Sequence, residues 1–169
     1  MNAIGVKPGM VIGEIGAGRG RYTVHLAQRV GDTGKVLAND IDANALAYLR
    51  ERLKRNRITN VATILGREDH PLFPPHSLDM AIMVWVYHHL EQPVAMLKNL
   101  APSLKASAPV VILDPDPDQE GELDSPRPSS KERVASEARE AGFELVRIDT
   151  FLPRDVIYIL RESAASAIQ

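Results

Sequence analysis

Short apolar runs rich in β-branched residues alternate along the chain with longer stretches in which apolar positions recur at helical spacing. Strands are predicted at Met10–Ile15, Lys35–Asp40, Val61–Leu65, Leu78–Trp85, Val110–Leu113, Phe143–Thr150 and Val156–Leu160. Helices are predicted at Arg21–Val30, stopped by Gly31, and at Asn44–Arg57, with Leu46, Leu49 and Leu53 on one face. Two more are predicted: Gln92–Leu104 with Pro93 in its first turn, and a helix opened by a Ser129/Glu132 capping box and stopped by Gly142. Leu78–Trp85 is almost wholly apolar, as a strand covered on both faces must be. Strand alternating with helix implies a parallel sheet with helices packed on it, an α/β fold. Neither a repeat nor a second domain is visible, so residues 1–169 are expected to form one domain.

The segment from Asp114 to Pro128 breaks this pattern. Asp114, Asp116, Asp118, Glu120, Glu122 and Asp124 stand at every second position, and Pro115 and Pro117 favour an extended backbone that would put them on one side. Gln119 and Ser125 occupy the places where a calcium-binding loop needs Gly and Glu, so calcium is not expected. Following the fifth strand, the loop should overhang an acceptor site, where it would suit a cationic acceptor or a basic partner.

Composition narrows the classes. The 169 residues include no cysteine, which excludes disulfides, thiolate metal sites and cysteine nucleophiles. His25, His70 and His76 lack the carboxylate spacing of a metal site, and no metal is expected. A net charge of −2 argues against a dedicated nucleic-acid coat. Arg50, Arg52, Lys54, Arg55 and Arg57 read as the solvated face of a helix, and 5% aromatic content disfavours a base-stacking surface. The longest apolar run, Met80 to Tyr87, is too short to span a bilayer, and Met1 to Gly9 has no apolar signal core. A cytoplasmic location is expected, as a monomer or homodimer with no membrane partner.

The most informative stretch is Val11-Ile12-Gly13-Glu14-Ile15-Gly16-Ala17-Gly18-Arg19-Gly20, a strand running into closely spaced glycines at the mouth of a helix. In a parallel sheet this turn holds nucleotide-like ligands against backbone that only glycine leaves accessible. A dinucleotide turn would need its third glycine at Arg21, and Glu14 would repel a pyrophosphate. S-adenosylmethionine has no phosphate and carries positive charge, so it suits this loop better. Asp40 ends the second strand about 20 residues beyond the glycines, the spacing at which a carboxylate reaches ribose hydroxyls. Asp42 or Asn44 is better placed than Asp40 to cap the next helix.

Glu14 to Gly20, Asn39-Asp40-Ile41, Ser77-Leu78-Asp79 and Tyr87-His88-His89-Leu90 together resemble, in their order, the motifs of class I S-adenosylmethionine-dependent methyltransferases. The resemblance covers roughly residues 5–160. It implies a Rossmann-like, doubly wound three-layer sandwich whose mostly parallel seven-stranded sheet has its last strand antiparallel between its neighbours. It also implies that Glu14, Gly16, Ala17 and Gly18 line the methionine part of the cofactor, Asp40 holds the ribose and Ile41 packs on the adenine. Either Glu68 or Asp69 would meet the adenine amine, and Trp85 belongs to the same cofactor set. The product would be S-adenosylhomocysteine.

The fourth strand delivers Trp85-Val86-Tyr87-His88-His89 to the sheet edge that carries the glycine loop. A sulfonium methyl is already electrophilic, so the enzyme mainly has to hold a nucleophile in line with it. His88 is the candidate base and Tyr87 the candidate for orienting the acceptor, expected to be a small molecule; nucleic acid and protein acceptors stay open. Two alternatives remain. One is a catalytically silent S-adenosylmethionine-binding partner or regulatory module, which the short stretch before the first strand favours. The other is an NAD-dependent oxidoreductase.

Overall fold

The computed structural model describes residues 1–118 and 127–164. Seven strands, β1 (Val11–Ile15), β2 (Lys35–Asp40), β3 (Val61–Leu65), β4 (Met80–Val84), β5 (Val110–Pro115), β6 (Phe143–Asp149) and β7 (Asp155–Glu162), form a sheet in the order β3-β2-β1-β4-β5-β7-β6. β1 to β5 run parallel, and β7 inserts antiparallel to both β5 and β6. The direction follows from the connections. Parallel neighbours need a crossover long enough for a helix, whereas β6 and β7 are joined by the short turn at 150–154.

Helices α1 (Thr23–Val30) and α2 (Ala43–Arg55) cover one face, and α3 (Pro93–Leu100) and α4 (Lys131–Glu140) the other. β4 shows why its sequence is continuously apolar: Met80 and Ile82 pack toward α1 and α2, while Ala81 and Met83 pack toward α3 and α4. Leu46, Leu49 and Leu53 of α2 are buried on one face, at the spacing expected of an amphipathic helix. Asp42 is its N-cap, accepting from the Asn44 amide at 2.8 Å. None of these helices is long and apolar enough to cross a membrane.

Several local expectations are corrected. α3 stops at Leu100 and continues as a 3₁₀ turn over Ala101–Ser103, because Pro102 has no amide to donate back into the helix. α1 starts two residues later than predicted, after a turn in which Gly20 has φ +80° and lies too close to Leu49 for a Cβ. Ser129 does not cap α4. Ser130 does, accepting from the Arg133 amide at 3.2 Å, while the Ser129 hydroxyl is buried and donates to Asp114 at 2.7 Å. Asp114 and Asp116 are buried as well, the first within β5, so they do not join a solvent-facing acidic row. Glu120, Glu122 and Asp124 lie outside the described residues.

Candidate functional site

The carboxyl ends of β1, β2 and β4 meet at one edge of the sheet, where the loop after β1 is folded by positive-φ backbone at Gly16, Gly18 and Gly20. At Gly16 a Cβ would stand 2.3 Å from Val86, so glycine is required there by space as well as by conformation. At Gly18 no described residue lies within 4 Å of that position. The loop is pinned from β2: the Ala17 amide donates to the Asn39 carbonyl at 2.8 Å, and the Gly18 amide to the Asp40 carboxylate at 2.7 Å. The other Asp40 oxygen accepts from the Asp42 amide at 2.9 Å. One carboxylate therefore ties the glycine loop to the start of α2.

Glu14 lies beneath this loop, 2% exposed, with Oε2 accepting from the Thr23 hydroxyl at 2.5 Å. Burial pushes its carboxyl up to about 7; the Thr23 hydrogen bond opposes the shift and the nearby Asp40 charge adds to it.

A cavity of about 370 Å³, within the range of small-molecule sites, opens between these strand ends. Gly16, Asp40, Ile41, Glu68, Val86 and His89 are in its wall. The structure thus brings Gly16, Asp40, Ile41 and Glu68 together. Ile41 is 57% exposed, an apolar side chain left open at the cavity. Of the two candidate acids after β3, Glu68 reaches the wall, whereas Asp69 lies off it and its carbonyl accepts from the Asn99 side chain at 2.9 Å. Glu14, Ala17 and Gly18 underlie the site without lining the cavity.

Beyond β4 the chain turns sharply. Trp85 adopts φ +59°, an uncommon conformation for a bulky side chain, and its indole donates to Asp155 at 2.9 Å, away from the cavity wall. Tyr87 opens a 3₁₀ turn, Tyr87–His89, and is corrected in position: its ring is fully buried and its hydroxyl donates to Glu137 of α4 at 2.7 Å. Burial and the Glu137 charge push that phenol far above its ordinary range. His88 lies off the cavity wall too, with Nδ1 3.2 Å from Oδ1 of Asp114. Its ring packs on that of His89, centroids 3.9 Å apart, and His89 is the histidine that lines the cavity.

Sequence reasoning missed His89 and Arg67 as wall residues. The signal for His89 was its adjacency to His88, but spacing alone does not say which side of a short 3₁₀ turn faces the cavity. The donor set fits a cationic nucleoside: an open apolar surface at Ile41, carboxylates at Asp40 and Glu68, and open space over Gly18.

A family model described as "Methyltransferase domain" matches residues 12–107. A curated relative from Shewanella oneidensis, "Ubiquinone/menaquinone biosynthesis C-methyltransferase UbiE", is 25% identical over 111 residues, covering 65% of this chain. The matched region spans only 44% of that relative's length. Among solved structures, a SAM-dependent methyltransferase from Aquifex aeolicus superposes with a TM-score of 0.89 at 24% identity, covering 96% of this chain and 87% of that one. The [4+2]-cyclase SpnF superposes with a TM-score of 0.77 at 12% identity, covering 93% and 76%. At these identities the structural likenesses show the fold.

Proposed function

The chain belongs to the methyltransferase domain family, the class I S-adenosylmethionine-dependent fold, and we propose that it binds S-adenosylmethionine in the cavity and methylates a small-molecule acceptor. The observation that carries this reading is the placement of Asp40 and Ile41 together at the end of β2, in the same cavity wall as Gly16. Asp40 would hold the ribose, Ile41 would cover the adenine, and Glu68 would meet its amine. The glycine backbone would take the methionine part, above the buried Glu14. The bound cofactor supplies an electrophilic methyl group on a sulfonium, and its transfer leaves S-adenosylhomocysteine.

The chain's own share is orientation and shielding. Val86 and Leu90 give the cavity an apolar side, and the carboxylates at its rim favour a cation over a phosphate. The fold by itself does not fix the reaction, since a cyclase shares it. The biosynthetic role in the Shewanella relative's name supports a small-molecule acceptor. Incubation with methyl-labelled S-adenosylmethionine and a metabolite extract tests the reading. Label appearing in a small molecule supports it; tight cofactor binding with no transfer to any acceptor favours a silent binding module.

A further inference from the structure

Charge is spread unevenly along this chain. Residues 19–57 carry nine Lys and Arg against four Asp and Glu, in a protein of net charge −2. Part of that excess gathers where the glycine loop meets α2. Tyr48, Arg52 and Arg55 fall at i, i+4 and i+7 and so form one stripe along the helix, about 10 Å long. The Arg52 guanidinium donates to the Arg19 carbonyl at 3.2 Å, which joins the loop to the stripe. The guanidiniums of Arg19 and Arg55 lie 5.3 and 5.9 Å from the centre of the Tyr48 ring, and that of Arg21 lies 5.6 Å from the centre of the Tyr22 ring. Among the described residues none of these four arginines is in an ion pair. Arg55 stands one helical turn from Glu51, yet it meets the ring instead. We propose that this stripe is a docking surface for single-stranded RNA, continuous with the glycine loop and independent of what the cavity binds.

Net charge and aromatic content are averages over the chain, and they speak against nucleic acid only if the relevant groups are scattered. Here two of the four tyrosines stand against arginines on one surface. A guanidinium held over a ring is already placed and keeps its N–H fork for the oxygens of a phosphate. Tyr48 is 46% exposed, which leaves its ring open to a base, and base stacking on an aromatic side chain is indifferent to sequence. The stripe therefore offers phosphate contacts on either side of a stacking contact. Glu51, one turn from Tyr48, is the carboxylate beside these cations; it suits the 2′-hydroxyl of a ribose, a donor that RNA has and DNA lacks. A membrane surface would call for large apolar side chains among the charges, and Tyr48 is the one such exposed residue of α2. An acidic polypeptide would pair with the arginines but brings no row of flat bases to the ring.

The test is fluorescence anisotropy of a labelled oligoribonucleotide of mixed sequence, about 12 nucleotides long, titrated with the full chain between about 50 and 200 mM salt. Saturable binding is expected, with a slope of log affinity on log salt of roughly −2 to −3, at about −0.7 for each of three or four phosphates. Arg55→Glu is expected to weaken binding about tenfold or more, and Tyr48→Leu, which keeps bulk but loses the ring, about fivefold or more. Arg139→Glu makes the same change of charge on α4, across the sheet, and is expected to stay within about twofold of wild type. Should either stripe variant fail to fold, Arg21→Glu, which lies outside α2, is expected to show the loss that Arg55→Glu would. Absence of saturable binding at the lowest salt overturns the proposal. So does an equal loss in Arg55→Glu and Arg139→Glu, or full affinity in Tyr48→Leu. The same single strand made as DNA, polyglutamate, and vesicles of phosphatidylserine and phosphatidylcholine are run beside the RNA; each is expected to bind more weakly, and any that binds as tightly overturns the assignment to RNA.

Discussion

The amide of Gly18 donates to the carboxylate of Asp40 at 2.7 Å across a sequence gap of 22 residues. The acid that would hold a ribose therefore also sets the glycine loop beneath it, so loop shape and ligand contact depend on one side chain. Replacing Asp40 with Ala leaves two backbone amides, those of Gly18 and Asp42, without their acceptor. Hydrogen bonds to a charged group contribute roughly 1.5–3 kcal/mol, so S-adenosylhomocysteine affinity is expected to fall about 10- to 100-fold by calorimetry. Unchanged affinity would mean that Asp40 serves only the turn.

The glycines separate by neighbour. Gly16→Ala combines φ +74° with a Cβ 2.3 Å from Val86, and it is expected to destabilise by more than the roughly 1–2 kcal/mol of a left-handed alanine. Gly18→Ala has the same kind of backbone, φ +53°, but open space around it, so it should cost only that conformational increment. At about 2–4 °C of melting midpoint per kcal/mol for a chain of this size, differential scanning calorimetry resolves the two. Equal midpoints would remove the Val86 contact from the account.

Glu14 predicts a pH dependence of stability with a definite sign. Its folded pKa of about 7 lies above the ordinary glutamate value of 4.5, so between those values the folded state holds a proton that the unfolded state has lost. Stability from this group is present at acid pH and declines as pH rises through that window. Glu14→Gln should therefore flatten the decline and stabilise the protein at pH 8, by on the order of 2–3 kcal/mol. Chemical denaturation at pH 5 and pH 8 reads it, and a variant less stable at pH 8 than wild type would reverse the assignment.

Tyr87 is expected to matter for packing. Tyr87→Phe removes the hydroxyl that donates to Glu137, while Arg133 still pairs with that carboxylate at 2.9 Å. A loss of roughly 0.5–1.5 kcal/mol is expected, with S-adenosylhomocysteine affinity unchanged. A selective loss of affinity in a fully stable variant would return Tyr87 to the ligand site.

The middle of the sheet was legible because its strands are largely buried on both faces: Met80 to Val84 had to be apolar throughout, where a surface helix would interrupt such a run with polar positions. The cavity was legible through Gly16 and Asp40, which stand in its wall where strands end. The far side of the site was less so. Tyr87, His88 and His89 are consecutive, yet one is in the core, one faces a buried aspartate and one lines the cavity. A 3₁₀ turn spreads neighbours by about a third of a rotation each, and tertiary partners 26 and 50 residues away, Asp114 and Glu137, decide which goes where. Ser129 was misread for the same reason, since its partner lies on β5 rather than on the helix it precedes.

Isothermal titration of the wild-type chain with S-adenosylhomocysteine, set beside the same titration with NAD, tests the central claim most directly. The account predicts a saturable one-site heat with the thioether nucleoside, diminished in Asp40→Ala, and no heat with NAD. No heat with the first ligand, or saturable binding of NAD, would contradict it.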